Sequence, residues 1–161
     1  MSVSDRLAVA ETVYRYATGI DMRDFELYRS IFAPEVAIDF SSYSDRAPAT
    51  VTADQWVASV VPLFTGLDAT QHSMTNPIAE IDGDDARCRM YMQAHHVYRP
   101  EDPTSWFTIG GYYDDTLVRS ELGPVGWLVT GVTLTVLWRR GDAGIMPAAA
   151  AHGRAVSDAG S

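Results

Sequence analysis

The hydrophobic pattern of this chain is mainly helical at first and strand-like later. In residues 4–21, SDRLAVAETVYRYATGID, the apolar positions Val9, Val13, Tyr16/Ala17 and Ile20 recur at helical spacing and lay one stripe along a helix. Gly19 and Asp21 mark its stop and the N-cap of a short second helix in RDFELYRSIF, which Ala33–Pro34 ends. VAIDFS then alternates as a strand, with Val36, Ile38 and Phe40 on one face. Thr52 and Gln55 form a capping box, so a third helix runs from there towards Pro62.

Beyond that point the period is that of strands. ATQHSMT and PIAEI lead to a DGDD turn, followed by ARCRMYMQAHHVYR, SWFTIGGYYDDTLVRS, a turn at ELGPVG, and WLVTGVTLTVLWRR. Helices first and long antiparallel strands later predict an α+β domain. Its curved, cone-shaped antiparallel sheet is packed by the N-terminal helices around one cavity. Residues 1–140 make this single domain. From Gly141 the composition turns to Gly, Ala and Ser, so 141–161 is expected as a flexible tail or loosely docked lid.

Composition narrows the function more than the fold. The net charge of −9 and pI near 4.7 argue against nucleic acid or an anionic membrane surface, either of which needs clustered cations. All 12 basic residues are arginine, which excludes Schiff-base chemistry by a lysine of the chain. No Gly-rich dinucleotide or phosphate motif is present, so no cofactor is expected. One cysteine, Cys88, and an N-terminus without a basic-then-apolar leader fit a cytoplasmic protein.

The chemistry that remains is in the histidines. Between residues 87 and 96, Arg87, Arg89, Tyr91, Gln93 and His95 share one strand face, and Cys88, Met90, Met92, Ala94 and His96 the other. His96 is therefore expected to point inward and His95 outward. His72 shares its parity with Thr70 and Met74, which favours inward more weakly. A lone inward histidine is most often bonded to a backbone carbonyl; two in one curved sheet point instead to a small-molecule site. Asp21 reads either as a helix cap or as the partner that holds an imidazole tautomer. Spacing alone leaves both open.

Four stretches, GIDMRDFELYRSIFAPEVAIDFSS, TADQWVASV, ATQHSMTNP and AHHVYRPED, carry a family resemblance. Together they resemble the SnoaL-like family of the nuclear-transport-factor-like superfamily. The pattern is closest to the scytalone dehydratases and looser to the hexachlorocyclohexane dehydrochlorinases. The resemblance implies that His72 is a base taking a proton from carbon, that Asp21 orients it, and that His96 is a second catalytic histidine. It also puts Asp115 near a pocket asparagine. Ile20 and Phe40 stand where the scytalone dehydratases have tyrosines that hold a water, which implies a more apolar wall. Met74, Met90 and Met92 complete the expected pocket.

The expected activity is a cofactor-independent lyase, dehydratase-like, or an isomerase. Its substrate is a small, largely apolar molecule, polyketide- or steroid-like. His96 assists the leaving group as its imidazolium or through a water. The alternatives are a non-catalytic binding protein, a cyclase or epoxide-opening enzyme on the same fold, and a metal site built from His72, His96 and Asp21. The resemblance implies association through the open sheet face, and exposed aromatics such as Trp138 fit the homo-oligomer, dimer or trimer, expected here.

Overall fold

The structure is a computed structural model and describes residues 2–159. Ser2 caps helix α1 (Val3–Asp21), accepting from the Asp5 amide, and the stripe from Val9 to Ile20 is buried. Asp21 is the last residue of α1 and not the N-cap of the next helix. Asp24 takes that role for α2 (Phe25–Ser30), accepting from the Leu27 amide. Strand β1 (Phe32–Asp39) starts earlier than VAIDFS and includes Pro34. The proline is accommodated because its pairing with the last strand is irregular between Phe32 and Ala37.

Strand β2 (Ala49–Thr52) leads into α3 (Ala53–Gly66), where the Thr52–Gln55 capping box forms in both directions and the helix continues through Pro62. Four long strands follow: β3 (Ala69–Asp82), β4 (Asp85–Val97), β5 (Trp106–Arg119) and β6 (Trp127–Gly141). Asp82 pairs with Asp85 across the expected DGDD turn, with Gly83 at φ +60°.

The six strands make one curved, open sheet in the order β2-β1-β6-β5-β4-β3. Neighbours are antiparallel as expected, with one parallel pair, β1 beside β6. β1 and β6 are distant in sequence, so no hairpin constrains their relative direction. Along β4 burial alternates at every residue from Asp85 to His96, with Ala86, Cys88, Met90, Met92, Ala94 and His96 inside. Helices α1 and α3 cover this inner face, and one apolar core joins them to it.

Residues 145–159, within the expected tail or lid, form helix α4 (Ile145–Ala159). It buries Ile145, Met146, Ala149 and Gly153. It lies on α3 so closely that a Cβ on Gly66 would fall 1.8 Å from the Ala149 carbonyl oxygen, and one on Gly153 would fall 1.9 Å from that of Pro62. Among the described residues, no helix is long and apolar enough to cross a membrane.

Candidate active site

A cavity of about 520 Å³ opens between the sheet and helices α1, α3 and α4. Its floor is the buried part of the inner face: Met92, Ala94 and His96 from β4, Ile109 and Tyr113 from β5, Leu134 from β6. Phe40, Trp56 and Phe64 make apolar walls, and His72 enters from β3.

His72 is held by Asp21. The imidazole Nδ1 lies 2.7 Å from Asp21 Oδ1, and the His72 backbone amide donates to Oδ2 at 2.6 Å. β3 is an edge strand, so this amide points away from the sheet, and the end of α1 supplies the acceptor. Thr70 Oγ1 donates to Asp21 Oδ1 at 3.0 Å and is itself reached by Arg23 Nη1 at 2.7 Å. Arg23 sits at φ +58° and also donates to the Ile20 and Leu67 carbonyls, tying the end of α1 to the start of β3.

Burial works to raise the Asp21 carboxyl, but the hydrogen bonds it accepts from His72 and Thr70 hold it below the usual carboxylate range. A charged carboxylate only accepts, so His72 Nδ1 carries the hydrogen, and in the neutral ring the lone pair is on Nε2. The His72 side chain is 4% exposed.

His96 is fixed the same way by a different acceptor. Its Nδ1 is 3.1 Å from the Phe107 carbonyl oxygen, again leaving Nε2 as the free acceptor. Its ring centroid is 5.8 Å from that of His72, edge to face. Burial, with the neighbouring His72, pushes its pKa down to about 4. At neutral pH it is an uncharged acceptor, which speaks against the imidazolium and leaves the water-mediated role, the other of the two expected from the sequence. His95 is on the exposed face, 2.6 Å from Thr108 Oγ1.

Among the other expected pocket residues, Phe40 and Met92 line the cavity, while Ile20, Met74, Met90 and Asp115 do not. Parity gave the correct face but not the depth. Met90 and Cys88 lie below Met92 on β4, opposite Tyr113 and Asp115, where the inner face of the sheet is packed into the core. Ile20 is 1% exposed in that core. The sequence reading missed Tyr16 and Tyr113, two buried phenols in the cavity wall, together with Trp56, Arg46 and the residues of α4. For Tyr16 a signal existed: it is one helical turn before Ile20 on the same stripe.

Asp115 is 2% exposed and its Oδ1 has no hydrogen-bond partner. Burial, with Asp114 adding repulsion, drives its carboxyl well above the ordinary value. A carboxyl raised on folding loses stability as pH rises above its unfolded value of ~3.9, by about 1.4 kcal/mol per unit until the folded value is reached. Asp115→Asn removes that loss. Urea unfolding at several pH values is expected to show the variant gaining on the wild type with each step up from about pH 4, whatever constant offset the amide brings. Parallel curves would mean Asp115 is ionised in the fold.

Among the described residues, no group of His, Cys, Asp or Glu side chains is arranged to share a metal ion. Asp21 Oδ1 faces the protonated nitrogen of His72, not a site common to both histidines.

A model of the SnoaL-like domain family matches residues 1–133. The chain belongs to the SnoaL-like family. An uncharacterized protein of Mycobacterium tuberculosis is 28% identical over 127 residues, 79% of this chain and 82% of its own. The solved structure of a scytalone dehydratase-like protein from Novosphingobium aromaticivorans superposes with a TM-score of 0.72 at 20% identity. The match covers 86% of this SnoaL-like chain and 87% of that one. A hexachlorocyclohexane dehydrochlorinase gives 0.67 at 16% identity, covering 89% and 92%. At these identities the two structures share the fold with this chain.

Proposed function

We propose that this chain is a cofactor-independent lyase of the dehydratase kind, or an isomerase, acting on a small, largely apolar molecule held in the cavity. The 2.7 Å contact between Asp21 and the cavity-lining His72 carries this reading. His72 Nε2 takes a proton from a carbon made acidic by a neighbouring carbonyl, and Asp21 stabilises the imidazolium formed. The C–H electron pair becomes a C=C bond as the C–O bond breaks. The same imidazolium returns its proton to the departing hydroxyl, which leaves as water. His96, uncharged, accepts a hydrogen bond from that hydroxyl and orients it. In an isomerisation the imidazolium returns its proton to a different carbon.

The test is a panel of ring-fused β-hydroxy ketones, ranked by thermal shift and then assayed for new conjugated absorbance and for deuterium uptake from D₂O. Wild type is expected to convert at least one binder, and His72→Ala none. Binders that are neither dehydrated nor exchanged by wild type would make the protein a carrier. The assembly we propose is a homo-oligomer, dimer or trimer, joined through the outer sheet face, where Tyr91 is 50% and Trp138 43% exposed. Light scattering is expected to give a multiple of 17.7 kDa, and a strict monomer at high concentration would count against it.

A further inference from the structure

The cavity wall has a charge pattern that the proton-transfer chemistry does not use. The chain carries 21 acidic and 12 basic residues, yet no Asp or Glu lines the cavity, while Arg46 and Arg154 both do. Arg46 comes from the segment between β1 and β2, and Arg154 from α4 one turn past Ala150, which lines the same wall. Both are exposed, as are Gln55 and Ser59 beside them, so this end is the mouth; the histidines are at the buried end. Most other arginines have partners. Arg15, Arg29, Arg89 and Arg119 pair with carboxylates, and Arg23 and Arg139 donate to backbone carbonyls. Among the described residues, neither Arg46 nor Arg154 forms an ion pair.

We infer that Arg46 and Arg154 bind a carboxylate on the substrate, so that the natural ligand is an apolar ring system with an acid group at the end away from the reacting carbon. A guanidinium matches a planar carboxylate through parallel N–H donors, and two lining one mouth favour an anion over its neutral isostere. The apolar walls take the ring body. Fixing the acid at the mouth sets which carbon reaches His72. The inference rests on the cavity being the substrate site, but its test reads binding alone and so stands apart from the proton-transfer chemistry.

The probes are anthracene carboxylate and anthracene carboxamide, alike in shape and different in charge, titrated by fluorescence at neutral pH. Wild type is expected to bind the carboxylate at least ~10-fold more tightly, with a preference that shrinks as salt is added. In the Arg46→Gln/Arg154→Gln double variant the two affinities are expected to converge, with that for the amide unchanged. Arg140→Gln, which removes one exposed cation that does not line the cavity, is the control for net charge and should keep the preference. His72→Ala should keep it too, even if it has lost all turnover. Equal binding of the two probes by wild type, binding of neither, or a preference that survives in the double variant overturns the inference.

Discussion

Asp21→Asn is expected to lower turnover by ~10²–10⁴-fold while leaving ligand affinity nearly unchanged. The carboxylate accepts from three groups on β3: His72 Nδ1, the His72 amide and Thr70 Oγ1. An asparagine of the same shape keeps one oxygen and brings an NH₂. If the oxygen stays with the backbone amide, the NH₂ faces Nδ1, which must then lose its hydrogen to accept. The neutral ring flips tautomer and presents Nε2–H to the cavity, a donor where a base is needed. In the other orientation the base survives, but the charge that stabilises the imidazolium is gone. Both routes lose the transition state and spare the ground state, so kcat falls and Kd for a binder does not. An Asp21→Asn variant with more than about a tenth of wild-type turnover would reduce Asp21 to a structural clamp between α1 and β3. Thr70→Val, which removes one donor to Asp21 and leaves the pair intact, is expected to have a much smaller effect.

The parts of this site that were legible in the sequence are those fixed by local period. Alternation along residues 87–96 placed His96 inside and His95 outside, and the residue-by-residue burial of β4 agrees. The Thr52–Gln55 box set the start of α3 because both of its hydrogen bonds are local. The Asp21–His72 contact is of another kind. It joins residues 51 apart in sequence and exists because the C-terminus of α1 covers the outward amides of an edge strand. Only the family resemblance brought the two together beforehand.

Depth was illegible for a related reason. Inward parity is shared by Met92, which lines the cavity, and by Met90, which does not. The boundary between cavity and core is set by where the covering helices separate from the sheet. The mouth was hidden most completely. The segment SSYSDRAPA has no hydrophobic period, and the Ala-rich stretch of α4 reads as a tail unless the surface it docks on is known.

That docking gives the second large expected effect. Gly66 and Gly153 face each other's helices across a backbone contact, with Cβ positions only 1.8 and 1.9 Å from the carbonyl oxygens of Ala149 and Pro62. On propensity alone Gly153→Ala should strengthen α4 by about 1 kcal/mol. The contact predicts the opposite sign. The atoms met are main chain and have no rotamer to yield, so one helix must move bodily, and overpacking of this kind costs about 1–3 kcal/mol. Gly66→Ala meets the same obstacle from the other side, where a residue at the end of α3 gains little from propensity. Both variants are therefore expected to destabilise. Their loss should be concentrated in α4, read as faster amide exchange over residues 145–159 than in the strands. Because Met146, Ala150 and Arg154 leave the cavity wall with the helix, anthracene carboxylate should bind more weakly as well. A Gly153→Ala protein that melts higher than wild type would show that propensity outweighs the contact, and that α4 rests on α3 too loosely to form part of the site.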